Sequence, residues 1–214
     1  MRWLLSLFAS SIGRKILIAL AGLLLCLFLV SHLAGNLFLL MGEEVFNHYA
    51  KSLSENPLIL PAEAVLLFLF LIHIAVSLAV RYQNRQARPV PYALQASKGG
   101  GTAGSRTMIY SGILLLVFLV VHIKTFKFGD MSRGLYQLVM ASFRNGYYSL
   151  FYVLAMAGLC LHLSHGFQSA FQTLGIHHPA YTPWIKRAGL AFALAIALGF
   201  AFLPLWAYVK GLHP

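Results

Sequence analysis

Charged residues are scarce in this sequence, and their scarcity excludes an ordinary soluble domain. Only 10% of the 214 residues are charged, whereas 59% are hydrophobic, and the mean hydropathy is +0.76. Soluble domains carry about 25% charged residues, because their surfaces must be hydrated. The composition therefore predicts a protein whose surface faces lipid.

Cysteines and acidic residues are also few, which narrows the chemistry. The two cysteines, Cys26 and Cys160, have no C-x-x-C neighbour. This argues against iron–sulfur clusters, zinc sites and covalent haem attachment on this chain. Of the five acidic residues, only Glu63 touches the edge of a hydrophobic stretch. A di-iron site needs several carboxylates inside a helical bundle, so the sequence excludes it, and a proton-relay transporter is disfavoured.

Five hydrophobic stretches are long enough to cross a bilayer. A helix rises 1.5 Å per residue, so about 20 apolar residues span the hydrocarbon core. The stretches cover about residues 16–40, 60–80, 107–126, 147–172 and 188–209. The first is too long for a cleavable signal peptide and lacks a small-residue cleavage site. The sequence predicts an all-α, polytopic membrane bundle of five transmembrane helices, forming a single domain over residues 1–214.

Basic residues are distributed unevenly between the two sides of this layout. With a cytoplasmic N-terminus, ten Lys and Arg residues face the cytoplasm, and six basic residues with all five acids face outward. The positive-inside rule favours this orientation. The inner ten are Arg2, Arg14, Lys15, Arg81, Arg85, Arg88, Lys98, Arg106, Lys186 and Arg187. The net charge of +11 thus indicates orientation and no nucleic acid. The inner face suits anionic lipid or a cytoplasmic protein, or is a solvated rim.

Five of the nine histidines lie inside the predicted spans, where a polar ring needs a partner. They are His32, His73, His122, His162 and His165; the other four lie in loops or near a terminus and receive no role. The helical rise places His32 and His122 about 24 and 22 Å from the inner end. His73 lies at about 12 Å, and the other two at about 15 and 10 Å. Four helices thus present histidines at two levels.

Two pairs of histidines at two depths suit two haems b, each held by two axial imidazoles. A hydrogen bond between helices would satisfy any one histidine taken alone. Copper or zinc would need three or four ligands at one level. The cytochrome b of respiratory bc complexes holds both haems between the same two helices, and no span here has that histidine spacing. Six small residues would let a flat macrocycle approach: Gly22, Gly35, Ala75, Ser77, Gly158 and Gly166.

Several short segments occur in an order typical of one family. They are SSIGRK (10–15), SHLAGNL (31–37), FNHYA (46–50), NRQARPVPY (84–92), SRTMIYSG (105–112), HLSHGFQSAFQTLG (162–175) and HPAYTPWIKRAG (178–189). Together they resemble the cytochrome b membrane anchor of succinate:quinone oxidoreductases, in its five-helix, two-haem form found in bacterial succinate dehydrogenases and fumarate reductases. The resemblance extends along almost the whole chain.

The resemblance implies the quinone-reactive subunit of a respiratory complex in the bacterial cytoplasmic membrane. Members pass electrons between a membrane quinone and a cytoplasmic iron–sulfur subunit. A flavoprotein subunit beside it interconverts succinate and fumarate, a step of the tricarboxylic acid cycle in the oxidative direction. Haems at both depths favour a low-potential quinone such as menaquinone, handled near the outer side. The direction of electron flow stays open.

The resemblance also implies roles for individual residues. The family's haem ligands match His73 with His162 for the haem nearer the partner subunits, and His32 with His122 for the distal haem. Depth alone gave the same two levels, although it did not choose between His162 and His165. Related proteins can have Asn in place of the latter, so no ligand role is implied there. A hydrogen bond from it to a haem propionate, to quinone or to the iron–sulfur subunit stays open.

Two positions outside the ligand set bear on the chemistry. Ala21 stands where many relatives carry Thr, which removes a hydroxyl contact to haem without affecting ligation. Glu63 is the only carboxylate near the outer level, and it is the candidate for proton transfer to quinone. Its alternative role is that of an acid in the first turn of the second span, where the helix dipole favours negative charge.

Two other functions stay open on the sequence alone. One is the haem b subunit of another membrane oxidoreductase, of hydrogenase or formate dehydrogenase type. The neighbouring coding region would distinguish the two, because a succinate:quinone oxidoreductase requires flavoprotein and iron–sulfur subunits that should be encoded there. The other is a haem-free transporter or assembly protein, which would purify without colour.

Overall fold

The computed structural model describes residues 10–87 and 102–212. Within these ranges the chain forms α-helices, one short 3₁₀ helix and no strands. The five long helices are α1 (Ser11–Leu37), α3 (Ile59–Gln86), α4 (Ala103–Phe126), α6 (Gly146–Thr173) and α7 (Thr182–Leu212). Each is long and apolar enough to cross a membrane. The predicted all-α, multi-pass bundle with five candidate membrane spans is thereby confirmed.

Some sequence-based assignments lie outside the described residues. They concern Arg2, Arg88, Lys98, His213 and the second half of the NRQARPVPY segment. The count of basic residues on the inner face therefore stays a prediction, as does the cytoplasmic location of the N-terminus.

Side-chain caps set the starts of three long helices. The Ser10 side chain accepts from the Gly13 N–H at 3.0 Å, and Thr102 accepts from the Ser105 N–H at 3.1 Å. Asn145 caps α6 in the same way. These bonds satisfy N–H groups that have no partner within the helix. Hydropathy places the starts of α1 and α4 several residues too late, because polar capping residues lie outside the apolar runs.

The second long helix begins after a turn that its own sequence specifies. The Leu58 N–H donates to the Asn56 side chain at 2.9 Å, and α3 starts at the next residue. Pro61 lies in the first turn, where its missing N–H costs nothing. Glu63 is the fifth residue of the helix, and the first turn holds no acid. Its alternative role as a first-turn dipole partner is therefore wrong.

Four of the long helices surround a common interior. The helix α3 packs on α1, α1 packs on α6, and α6 packs on α4. Among the described residues α3 packs mainly on α1, and its side facing α4 is largely open. The diagonal pairs, α1 with α4 and α3 with α6, have no extensive backbone contact. The last helix, α7, covers the bundle from outside, chiefly against α6.

We call the end that holds the start of α1 the inner end, and the opposite end the outer end. Two short helices cover the outer end: α2 (Glu43–Ser54) and α5 (Leu135–Phe143). Hydropathy missed both, although Val45, Phe46, Tyr49 and Leu53 have helical spacing. The Asn47 side chain accepts from the Tyr136 N–H at 2.9 Å and joins the two helices.

Candidate functional site

Four of the five histidines inside the spans meet in two pairs across the interior. Near the outer end, the ring centroids of His32 and His122 are 5.8 Å apart, with planes at 86°. Deeper toward the inner end, His73 and His162 are 6.4 Å apart, with planes at 66°. We call these the outer pair and the inner pair. The structure brings together the same residues that depth and resemblance associate; what they bind stays a prediction.

The centroid distances can be compared with two imidazoles on one metal ion. A histidine nitrogen binds a metal at about 2 Å and lies about 1.1 Å from its ring centre, so opposed rings have centres about 6.2 Å apart. The inner pair is close to this value, and the outer pair is about 0.4 Å shorter. Two rings in an edge-to-face contact can have the same spacing. The hydrogen bonds of the ring nitrogens therefore decide the interpretation.

The hydrogen bonds around His162 assign its proton. The Ser111 hydroxyl donates to the Met108 carbonyl at 3.1 Å, and the same oxygen lies 3.3 Å from Nδ1 of His162. A serine hydroxyl carries one hydrogen, so the assignment that satisfies both contacts has Nδ1 as the donor in the second. Nε2 of His162 then carries the lone pair, which is the form in which a neutral histidine binds a metal.

Hydroxyl groups assign the proton of His122 in the same way. The Tyr148 hydroxyl donates to Thr125 Oγ1 at 2.9 Å, so the assignment that satisfies every contact has Tyr152 donate the 3.0 Å bond to Tyr148. The Tyr152 oxygen therefore accepts from Nδ1 of His122, 3.2 Å away. Both histidines thus have their Nδ1 proton engaged and their Nε2 lone pair available.

The partner histidines of the two pairs are held less firmly. The Ile18 backbone approaches the His73 ring, but no hydrogen bond of ordinary geometry reaches its buried Nδ1 from the described residues. The Asn36 amide lies 3.5 Å from both ring nitrogens of His32 and donates to its backbone carbonyl at 2.8 Å. A buried polar atom without a partner is costly, and this nitrogen of His73 lies on the side of the ring that faces Gly22 of α1.

Glycines give the inner pair its space. A Cβ added at Gly22 would lie 3.3 Å from Cε1 of His73, and one at Gly112 would lie 3.6 Å from Cε1 of His162. Gly22 was among the predicted small residues, whereas the sequence reading missed Gly112. Of the other predicted small residues, Gly35, Gly158 and Gly166 lie against Tyr49, Leu114 and Met108, and Ala75 is exposed. These four are not next to a paired histidine ring.

Aromatic rings line the outer pair. His32 stacks on Phe28 at 5.1 Å and lies 5.6 Å from Phe200. His122 stacks on Phe118 at 5.5 Å, and Phe126 lies on another side at 5.4 Å. Flat apolar rings are suitable neighbours for a flat apolar macrocycle, so the surroundings fit a haem.

His165 lies outside both pairs. It is half-buried on α6, and its Nδ1 is buried without a hydrogen-bond partner among the described residues. The start of α4 passes close to it, because a Cβ at Gly104 would lie 3.0 Å from the His165 Cβ. No second histidine ring faces it within residues 10–87 and 102–212. Its predicted hydrogen bond to another group stays a prediction.

Glu63 bridges the open side of the bundle at the outer end. Its carboxylate accepts from Lys127 Nζ at 2.5 Å and so connects α3 to the end of α4. The two side chains are 37% and 53% exposed. The sequence placed the carboxylate at this level but did not reveal its partner, because the two residues are far apart along the chain.

Other ligand sets are not formed by the described residues. No group of three or more His, Cys, Asp and Glu side chains comes together among them, and Cys26 and Cys160 are both free. Comparisons with protein-family models, with curated proteins and with solved structures gave no match. The site is therefore interpreted from its own residues.

Proposed function

We propose that this chain is the di-haem cytochrome b membrane anchor of a succinate:quinone oxidoreductase. The observation that carries the proposal is the two opposed histidine pairs, whose hydrogen bonds are all satisfied when Nε2 of His122 and His162 is left available to iron. The order of the sequence segments supports the choice of family. The chain would lie in the bacterial cytoplasmic membrane with its N-terminus inside.

The residues present fit two haems b. Each haem would supply one-electron transfer between ferric and ferrous iron. His32 and His122 would hold one, and His73 and His162 the other. Ser111 and Tyr152 keep the ligand rings in the metal-binding tautomer. Gly22 leaves space beside the inner pair.

The two levels suggest a path for electrons across the bundle. The inner pair would hold the haem on the side of the cytoplasmic iron–sulfur subunit, and the outer pair would hold the haem on the side where quinone approaches, near the outer end. A flavoprotein subunit would carry the succinate and fumarate chemistry. We propose menaquinone as the quinone, since haems at both depths suit a low-potential acceptor near the outer side.

Quinone chemistry also requires protons, and Glu63 is the residue we propose for their transfer. It is the carboxylate near the outer pair, and it is partly exposed at the open side between α3 and α4. Lys127 holds it there by an ion pair. A carboxylate in this position can exchange protons with water outside and reach a quinone that approaches from the lipid.

The test is to purify the chain together with its neighbouring subunits. We expect a reducible b-type spectrum, two non-covalent haems per chain, and haem reduction by succinate in the presence of the flavoprotein. Reduction by hydrogen or formate instead would favour the haem subunit of another oxidoreductase. A correctly folded, colourless complex would contradict haem binding altogether.

A further inference from the structure

Three hydroxyl side chains form a closed arrangement beside the outer pair. We call Thr125, Tyr148 and Tyr152 the hydroxyl relay. Thr125 and His122 lie one turn apart on α4, and Tyr148 and Tyr152 lie one turn apart at the start of α6. The hydrogen bonds therefore run from Thr125 on α4 through Tyr148 and Tyr152 on α6 to the His122 ring, which is again on α4.

The relay has one direction. Tyr148 donates to Thr125 at 2.9 Å, so its oxygen can only accept from Tyr152. The Tyr152 oxygen then accepts from Nδ1 of His122. When all three bonds are made, the hydrogen position of each member depends on that of the one before it, and Thr125 stands three hydrogen bonds away from His122.

Water is a poor substitute for Tyr152. This side chain is only 5% exposed, and its ring packs against Phe118, Phe126 and Phe143 at centroid distances of 4.8, 6.2 and 4.9 Å. Loss of the hydroxyl would leave the Nδ1 proton of His122 buried without an acceptor among the described residues.

We propose that Tyr152, held by Tyr148 and Thr125, is a positioning residue that sets the reduction potential of the outer haem. This inference rests on the proposed function. An acceptor on Nδ1–H makes the imidazole a stronger donor to iron, which favours the ferric state. Removing the acceptor therefore raises the midpoint potential of that haem alone.

The test is a redox titration of the haem-loaded complex with Tyr152→Phe, a change that removes one oxygen and keeps the ring. We expect the ferric preference of the outer haem to fall about tenfold, an upward shift of about 59 mV for one electron. Tyr148→Phe should shift the same haem less, because the Tyr152 oxygen stays beside Nδ1 of His122 while its hydrogen loses the acceptor on Tyr148. Tyr147→Phe is the control, since that ring is 88% exposed on the same helix.

The outcomes separate this inference from the proposed function. Two haems with unchanged potentials in Tyr152→Phe, or equal shifts in both haems, would overturn the positioning role and leave haem binding intact. A wild-type complex without two haems would instead overturn the proposed function. If Tyr152→Phe lowers haem occupancy, Tyr148→Phe still decides: an upward shift confined to the outer haem supports the relay, and unchanged potentials overturn it.

Discussion

The outer and inner pairs use the same ligands in contrasting surroundings. The outer pair is enclosed by phenylalanine rings and by the buried hydroxyl of Tyr152. The inner pair has Gly22 and Gly112 against its rings, and the serine hydroxyl of Ser111 on one nitrogen. Rings at the outer level are thus fixed by aromatic packing, and rings at the inner level by close approach of backbone. The same ligand chemistry can therefore be tuned separately at each level.

The largest expected effect comes from removing a ligand. His73→Ala and His162→Ala should each lose the inner haem and keep the outer one, because one imidazole is insufficient to retain a bis-histidine haem. His32→Ala and His122→Ala should both lose the outer haem. Haem content per chain and the number of redox transitions measure the result.

The control for ligand removal is His165→Ala. It lies three residues from His162 on the same helix but outside both pairs, so this variant should keep two haems. If His73→Ala and His162→Ala removed different haems, the pairing would be wrong. Loss of a haem in the control would place His165 among the ligands.

The second largest effect should come from a large side chain at Gly22, which should affect the inner pair and leave the outer pair unchanged. Its Cβ would already lie 3.3 Å from the His73 ring, so Gly22→Leu fills the space beside the inner pair. We expect loss of most inner haem, with the outer haem retained. Absorption spectra and haem content measure this.

Gly112→Ala, a smaller change at the other glycine beside the inner pair, is the control for the glycine prediction. Its Cβ would meet the His162 ring at 3.6 Å, an ordinary van der Waals distance, so two haems should remain. Equal haem content in Gly22→Leu and wild type would show that the inner pair needs no such space. Preferential loss of the outer haem would show that the glycine serves the other level.

The levels could be predicted because helical rise is constant, whereas the surroundings could not. The rotation of a helix about its axis decides whether Ser111, Gly112 or Tyr152 faces a histidine. In a soluble protein the polar face reveals that rotation. Here the faces toward lipid and toward the bundle are both apolar, and interior positions differ mainly by small residues and single hydroxyls. Lys127 was missed for another reason: its partner lies on a different span.

The outer level also differs from the inner one in having a carboxylate, Glu63, near its histidine pair. Glu63→Gln should lower quinone turnover about a hundredfold, the lower end of what positioned proton transfer contributes, while both haems stay bound. The ion pair with Lys127 is partly exposed, and such pairs contribute about 0–1 kcal/mol to stability. Folding should therefore change little. Steady-state quinone reduction and haem content measure the two effects.

Two controls test whether a loss of turnover comes from proton transfer by Glu63, from its ion pair, or from the removal of a negative charge. Lys127→Gln breaks the ion pair but keeps Glu63, so most turnover should remain. Glu55→Gln removes an acid from a short helix end, where it pairs with Lys51 at 3.8 Å, and should have no effect. If Lys127→Gln were as damaging as Glu63→Gln, the ion pair and not proton transfer would explain the loss.

The smallest expected effect lies at the inner pair, in Ser111→Ala. This change removes the acceptor from Nδ1 of His162, and the inner haem alone should rise in potential. The shift should be smaller than that of Tyr152→Phe at the outer haem. The bond is longer at 3.3 Å, and the Met108 carbonyl that Ser111 now occupies is released close to the ring.

Ser164→Ala is the control, because among the described residues that hydroxyl bonds only within its own helix. A shift at Ser111→Ala as large as at Tyr152→Phe would mean that enclosure by aromatic rings does not strengthen the outer hydrogen bond. The contrast between the two levels would then be one of shape and not of potential.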